Sequence, residues 1–208
     1  RGPRGVIRRG LALHPCGTAL DAGHQVVEEA ATRREEGVRV GVIPAVGSGL
    51  RSMAATGQLG RLKAHLRWYE KEFTNITYFS FLPLELELPH LEASGFNEII
   101  ATPCGPQGAL LRPLRERLHW RDLSVCRAMN LLGAIPALMA KWAFGVPFVL
   151  SYGADYRTIA TLHGRSRRHL AKWRWLERVA FRLASAVLVS NPLLAARLQA
   201  RYPTAKII

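Results

Sequence analysis

The chain is 208 residues long, 49% hydrophobic and 21% charged, with 18 Gly and 12 Pro spread along it, which excludes a disordered, collagen-like or low-complexity polymer and suffices for one good core or two small ones. Lys and Arg outnumber Asp and Glu by 29 to 15, a formal net charge of +14, so the surface favours anionic partners: nucleic acid, phosphorylated small molecules or an acidic membrane face. The three cysteines, Cys16, Cys104 and Cys126, are odd in number, far apart and without metal-ligand spacing, which argues against a disulfide framework or a zinc site and for a reducing, cytoplasmic setting.

Residues 1–36 mix Arg, Gly and Pro with a short helical run over 19–36 that carries few large apolar side chains, and read as a poorly structured or partly helical extension. The chain opens on Arg1 with no apolar core behind the early arginines, as expected of a fragment or processed chain without a recognisable secretion signal. The ordered domain is expected over 37–208. Its first strand is VRVGVI at 38–43, β-branched at alternating and adjacent positions as a doubly buried strand is. A polar, Gly-rich loop runs from Gly47 to Gln58, after which Leu59, Leu62, Leu66, Tyr69 and Phe73 recur at helical spacing. NITYFSF at 75–81 and NEIIAT at 97–102 read as strands, the second closed by Pro103 and Gly105.

Leu110, Leu111, Leu114 and Leu118 predict a helix over 110–120 interrupted early by Pro113, before a short strand at 123–126. Residues 128–144 read as an all-round apolar helix, too short to span a bilayer and broken by Asn130, Pro136 and Lys141. Gly145 stops it, and PFVLS at 147–151 is the next strand. A basic helix over 166–183, a strand at 186–189, a helix over 192–202 capped by Ser190 or Asn191, and the start of another strand at 206–208 complete the series. Apolar strands alternating with helices predict an α/β fold, a Rossmann-like parallel sheet with helices on both faces.

Ligands of such sheets bind beyond the carboxyl ends of the strands. After the first strand, Gly47, Ser48, Gly49, Gly57 and Gly60 would let backbone amides approach a phosphate, with the helix from Gln58 presenting its positive end. GSGLRS lacks the third Gly of a dinucleotide fingerprint and the Lys-Ser/Thr of a P-loop, so a merely mobile loop is the alternative. After the strand at 147–151 comes SYGADYR. There Tyr152 and Tyr156 could stack on or hydrogen-bond a sugar, and Asp155 could orient hydroxyls or accept a proton; the plainer alternative is a capping Asp155 and packing tyrosines. Arg127 could meet a phosphate or pair with Asp155. The seven histidines are scattered and belong to no nucleophile motif, His163 being the one placed in a loop worth watching.

From Arg157 to Arg182 eight basic residues face one acid, Glu177, and carry +7 of the total charge. Arg167, Arg174, Arg178 and Arg182 form one stripe of a helix, while Trp173, Leu176, Ala180 and Leu183 form an apolar one. Flanked by Trp173 and Trp175, the basic face suits an anionic membrane; a solvated face is the alternative. Nucleic acid is disfavoured, for no RNP, KH or zinc motif is present.

The run LLGAIPALMAKWAFGVPFVLSYGADY from Leu131, the basic helix after it, and LERVAFRLASAVLVSNPLLAARLQARYPTAKII together resemble the amino-terminal domain of family 4 glycosyltransferases of the GT-B fold, over about residues 38–208. The resemblance implies two facing Rossmann-like domains, this one binding the acceptor and a second binding a nucleotide-diphospho-sugar, with retention at the anomeric carbon and no further cofactor or metal. The family's paired glutamates lie in that second domain, which opens on a Pro-Asn-Gly turn that this chain stops short of. The fragment alone is therefore expected to be inactive.

Carried over by position, the loop from Gly47 to Gly60 resembles the one that closes over the donor phosphates. Tyr152 and Asp155 resemble the catalytic loop, with Arg127, Gly153, Tyr156 and Arg157 on the acceptor side. Many members carry a His where this chain has Tyr152-Gly153, so no catalytic His is assigned. The expected function is acceptor binding in a retaining glycosyltransferase of polysaccharide or glycolipid assembly, cytoplasmic and peripheral on the inner face of the cell membrane. A non-catalytic anion-binding or membrane-docking module is the alternative.

Overall fold

The structure, a computed structural model, describes residues 5–8 and 37–208. It is built from β1 (Gly5–Arg8), β2 (Arg39–Ile43), α1 (Leu50–Ala55), α2 (Leu59–Tyr69), β3 (Asn75–Ser80), α3 (Leu84–Ser94), β4 (Glu98–Ala101), α4 (Pro106–Arg115) and α5 (Arg117–Trp120). The second half comprises β5 (Val125–Ala128), α6 (Ala134–Phe144), β6 (Phe148–Ser151), α7 (Tyr156–Leu162), α8 (Arg167–Leu183), β7 (Ala186–Leu188) and α9 (Pro192–Arg201). The strands form one sheet in the order β1-β4-β3-β2-β5-β6-β7. β2 to β7 run parallel, as the alternation predicts, and β1 adds an antiparallel edge with Val6 opposite Ile100.

Gly5–Arg8 thus joins the sheet from within the segment expected to be an extension, whereas the helical run expected over 19–36 lies outside the described residues. The expected strand at 206–208 is a single parallel bridge, Ile207 to Val187. The strand expected at 123–126 sits two residues later, because Leu123 still belongs to the turn leaving α5 and its N–H donates to Trp120 O. The apolar helix expected from 128 begins only at Ala134. Met129 N–H donates to Ile43 O and extends the β5 pairing, and Asn130 Oδ1 accepts from Gly133 N–H at the turn into α6. The helix expected over 110–120 is two helices, broken at Glu116.

The chain walks outward from β2 to β3 to β4 and then returns to the other side of β2 with β5. Right-handed crossovers moving in opposite directions lie on opposite faces of a parallel sheet. Leu50, Leu62, Leu66, Leu91 and Phe96 from α1–α3 and the loop after α3 accordingly cover Val40, Val42, Ile76, Tyr78 and Ile99 on one face. Ala134, Ala137 and Ala140 of α6 and Ala180 and Phe181 of α8 pack with Cys126, Ala128, Phe148 and Leu150 on the other. One part of the sheet is less covered: β5 and β6 alternate buried with half-buried residues, while β3 and β4 are buried almost throughout.

Two contacts fix the strand ends. A Cβ added to Gly133 would stand 2.7 Å from Pro44 O and 2.8 Å from Ile43 O, so only glycine lets the start of α6 meet the end of β2. Arg112, fully buried, donates to Ser80 O and Ile100 O at 2.6 Å each and pairs with Glu116 at 2.8 Å, while its guanidinium lies over Phe79 and Phe81. It fills the carboxyl ends of β3 and β4. Replacing Arg112 by Met should leave Glu116 an uncompensated buried acid and cost about 3–5 kcal/mol. Denaturant unfolding measures this, and a loss below about 1 kcal/mol would show that the pair is not a structural anchor.

Candidate functional site

With β3 and β4 closed by Arg112, the open part of the carboxyl edge lies at β2, β5 and β6, where the strand order reverses. Here a cleft of about 570 Å³ separates α2 from the lightly covered end of the sheet. Gln58, Arg61, His65 and Trp68 follow one another at helical spacing along one wall. Arg127 and Met129 of the β5 end form the floor, and Ser190, just past β7, the far side.

Arg127 is held in place. Its Nε donates to Ser151 Oγ at 3.0 Å, its Nη1 donates to Tyr69 OH at 2.5 Å, and its guanidinium lies 5.3 Å from the Tyr69 ring centre. It does not pair with Asp155. Burial lowers the His65 pKa, and the charges of Arg127 and Arg61 lower it further, which keeps the imidazole neutral at neutral pH. Two arginines and a neutral histidine, with no acid in the lining, make the cleft receptive to an anion carrying hydroxyl groups.

The glycine loop beside it is mostly committed internally. Ser48 N–H donates to Ala45 O, Gly49 N–H to Ser52 Oγ, Leu50 N–H to the Glu87 carboxylate at 2.8 Å, and Gly57 N–H to Ala54 O. Gly49 lies against the Glu87 carboxylate with no room for a Cβ. Glu87 is fully buried, and burial raises its pKa; the α1 start thus already faces a side chain of its own protein. Gly47 and Gly57 have positive φ and open space around them, and Gly60 lies in the first turn of α2, whose amides have no carbonyl within the helix.

The segment after β6 corrects the sequence reading in part. Tyr152 is fully buried, packed edge-on against Tyr156 and Phe181, and its hydroxyl donates to Glu177 Oε2 at 3.2 Å. Burial and the Glu177 charge push its pKa up, so Tyr152 is a packing residue and not an acid or base open to substrate. Asp155 caps α7, accepting from Arg157 N–H, Thr158 N–H and Thr158 Oγ1, and pairs with Arg201 at 3.5 Å. Burial alone would raise its pKa, but the Thr158 donors, the Arg201 charge and Arg157 N–H together carry it below the ordinary value. Gly153 is exposed and Tyr156 and Arg157 are half-buried, and none of the three is among the residues that line the cleft.

Behind this loop lies a residue that sequence reading counted only as a charge. Glu177 is fully buried in α8 and accepts from Tyr152 OH, from Arg201 Nη1 at 3.0 Å and from Tyr202 OH at 2.9 Å. Burial raises the Tyr202 pKa to about 12, with help from the Glu177 hydrogen bond and charge. The signal was a lone acid at an inward position of an otherwise basic amphipathic helix. Arg167, Arg174, Arg178 and Arg182 are exposed, as the stripe requires, but Trp173 turns inward, stacks on Tyr156 at 5.3 Å and donates to His169 Nε2. Trp175 is the exposed one. His163 is an exposed residue at the C-cap of α7, away from the cleft lining. Among the described residues no helix is long and apolar enough to cross a membrane.

No protein-family model and no curated protein matches the chain. Among solved structures the chain is similar to HepE of Anabaena, crystallised in complex with UDP and glucose, with a TM-score of 0.51 and 15% identity. The match covers 82% of this chain and 43% of that one, so the chain spans less than half the length of that protein. At this identity the likeness shows the fold, an α/β Rossmann-like layer structure.

The Glu177 cluster is testable. Glu177→Gln keeps the shape but leaves the partly exposed Arg201 with Asp155, at 3.5 Å, as its remaining counter-charge, and should cost about 1–3 kcal/mol. Because the folded-state pKa of Asp155 is depressed, its contribution is complete above the unfolded pKa and is lost as pH falls through the folded one. The native chain should therefore lose stability below about pH 4. Asp155→Asn, which can still cap α7, should show a shallower acid limb; identical limbs in a pH series of melting curves would refute this.

Proposed function

We propose that this chain is the acceptor-binding half of a retaining glycosyltransferase of GT-B type, family 4, which moves a sugar from a nucleotide-diphospho-sugar to a polysaccharide, glycolipid or related acceptor. The observation that carries the reading is the cationic cleft at the strand-order reversal, between α2 and the ends of β5 to β7. Support comes from the fold shared with a protein that holds UDP and glucose. In this reading Arg61 and Arg127 hold the anionic group of the acceptor, neutral His65 hydrogen-bonds an acceptor hydroxyl, and Trp68 offers a flat apolar face to a sugar ring. The first-turn amides of α2 around Gly60, with the open backbone at Gly47 and Gly57, meet the donor phosphates. Gly153, Tyr156 and Arg157 form the rim beyond β6, shaped from beneath by Tyr152 and Asp155.

The donor's own binding groups, including a pair of glutamates, belong in this reading to a second domain facing the cleft, so the isolated chain binds acceptor without transferring sugar. A second reading, a non-catalytic anion-binding module, is favoured by the commitment of Tyr152 and Asp155 to packing and capping.

Kinetics of the full-length protein separate the two. Arg61→Ala and Arg127→Ala should each raise the acceptor KM about tenfold to hundredfold, through loss of one charge-assisted contact, while changing kcat much less. If the full-length protein consumes no nucleotide sugar across a broad donor and acceptor screen, while phosphorylated ligands still bind the cleft, the binding-module reading stands instead.

A further inference from the structure

A second cavity, on the outer face of the domain, is unlike the first. Between α4, α6 and α8 runs a groove of about 830 Å³ whose walls are almost wholly carbon, among them Leu110, Leu138, Trp142, Trp175, Val179 and Leu183. The side chains along it are left to solvent: Trp142 is 80% exposed, Trp175 66%, and Leu110 and Leu183 40% each. An apolar patch of this size, edged by two open indoles, is a surface built to be covered.

The charges around it say by what. α4 and α6 contain no acid, and the single acid of α8, Glu177, is buried and bound to Arg201, Tyr152 and Tyr202. Glu116, just past α4, is buried against Arg112. The exposed charge of these helices is therefore all positive: Arg115 on α4, and Arg167, Arg168, Lys172, Arg174, Arg178 and Arg182 on α8. Arg168 and Arg182 stand seven residues either side of Trp175, within about 20° of it around the helix, and Arg178 lies about 60° away on the side opposite the groove. One exposed face of α8 thus presents an indole between a cationic stripe and an apolar trough.

A second copy of the chain would bring like charges together across that face. An indole at the boundary between a cationic and an apolar strip is the arrangement of a helix lying in a bilayer interface.

We propose that this face docks on an anionic phospholipid bilayer, with Trp142 and Trp175 entering the headgroup layer, the groove receiving acyl chain, and the α8 arginines facing the lipid phosphates. The docking does not depend on the glycosyl-transfer reading. Of the two tryptophans that sequence places beside the basic face, it keeps Trp175, drops the inward-turned Trp173, and adds Trp142.

Flotation of the full chain with vesicles of phosphatidylcholine, and of phosphatidylcholine with phosphatidylglycerol, tests it. The chain should float with the anionic vesicles and stay behind with the neutral ones. The W142A/W175A double substitution should cut partitioning about tenfold or more. R178E/R182E should cut it at least roughly fivefold per arginine. Bromine-labelled acyl chains should quench the tryptophan emission of the native chain and spare that of the double variant, and circular dichroism should show both variants folded. Three outcomes overturn the proposal: no flotation with anionic vesicles, flotation undiminished by W142A/W175A, or flotation absent while an acidic peptide or a second copy of the chain binds the groove.

Discussion

The handedness of β-crossovers governs this molecule more than any single contact. A right-handed connection fixes the face on which each helix lies. Because the chain reverses direction between β4 and β5, its helices fall on opposite faces to either side of β2. That places α1–α3 over one half of one face and α6 and α8 over the other half of the opposite face. What remains is a strip of sheet at β5 and β6 whose alternate residues are only half-covered. The cationic cleft opens at the carboxyl end of that strip, at Arg127 and Met129, walled by α2. Gly133 permits the arrangement, since any side chain there would push α6 off the end of β2.

Two buried charge clusters stand on either side of the reversal and divide the carboxyl edge between them. Arg112 satisfies the Ser80 and Ile100 carbonyls at the carboxyl ends of β3 and β4. Glu177 gathers a tyrosine from the loop after β6 and an arginine and a tyrosine from the end of α9. A buried ion pair adds little net stability compared with an apolar core, but each partner is costly to remove. Their effect here is to hold irregular segments in one geometry. Arg127 lies between the clusters with partners on α2 and β6, and presents its charge to open space.

The α/β order was legible because strands buried on both faces read as continuous apolar runs. VRVGVI, NITYFSF and PFVLS each lie at or within two residues of an observed strand. α3 was not legible: LELELPHLEAS alternates like a strand, carries Pro89 inside the helix, and gives no apolar stripe. The cleft wall was hidden for a related reason. Arg61, His65 and Trp68 sit on the exposed side of an amphipathic helix, and sequence cannot distinguish bulk solvent from a cleft formed with strands sixty residues further along the chain. Arg127 was found because it directly follows a strand pattern. Sequence left Tyr152 open between contact with a ligand and packing, because position at a strand end does not say whether a ring points outward or into the core. The basic stripe of α8 was readable from spacing, but which of its two neighbouring tryptophans faces outward depended on the helix phase.

The three-way grip on Glu177 has a mechanical corollary. It ties α8 to the loop beyond β6 and to the end of α9 through one fully buried carboxylate. Helix and carboxyl edge therefore move as one lever. Whatever α8 rests upon sets the tilt of the whole domain, and with it the direction in which the cleft opens. Under the proposed function, selection among acceptors becomes a matter of reach and angle, decided before any sugar-binding contact forms.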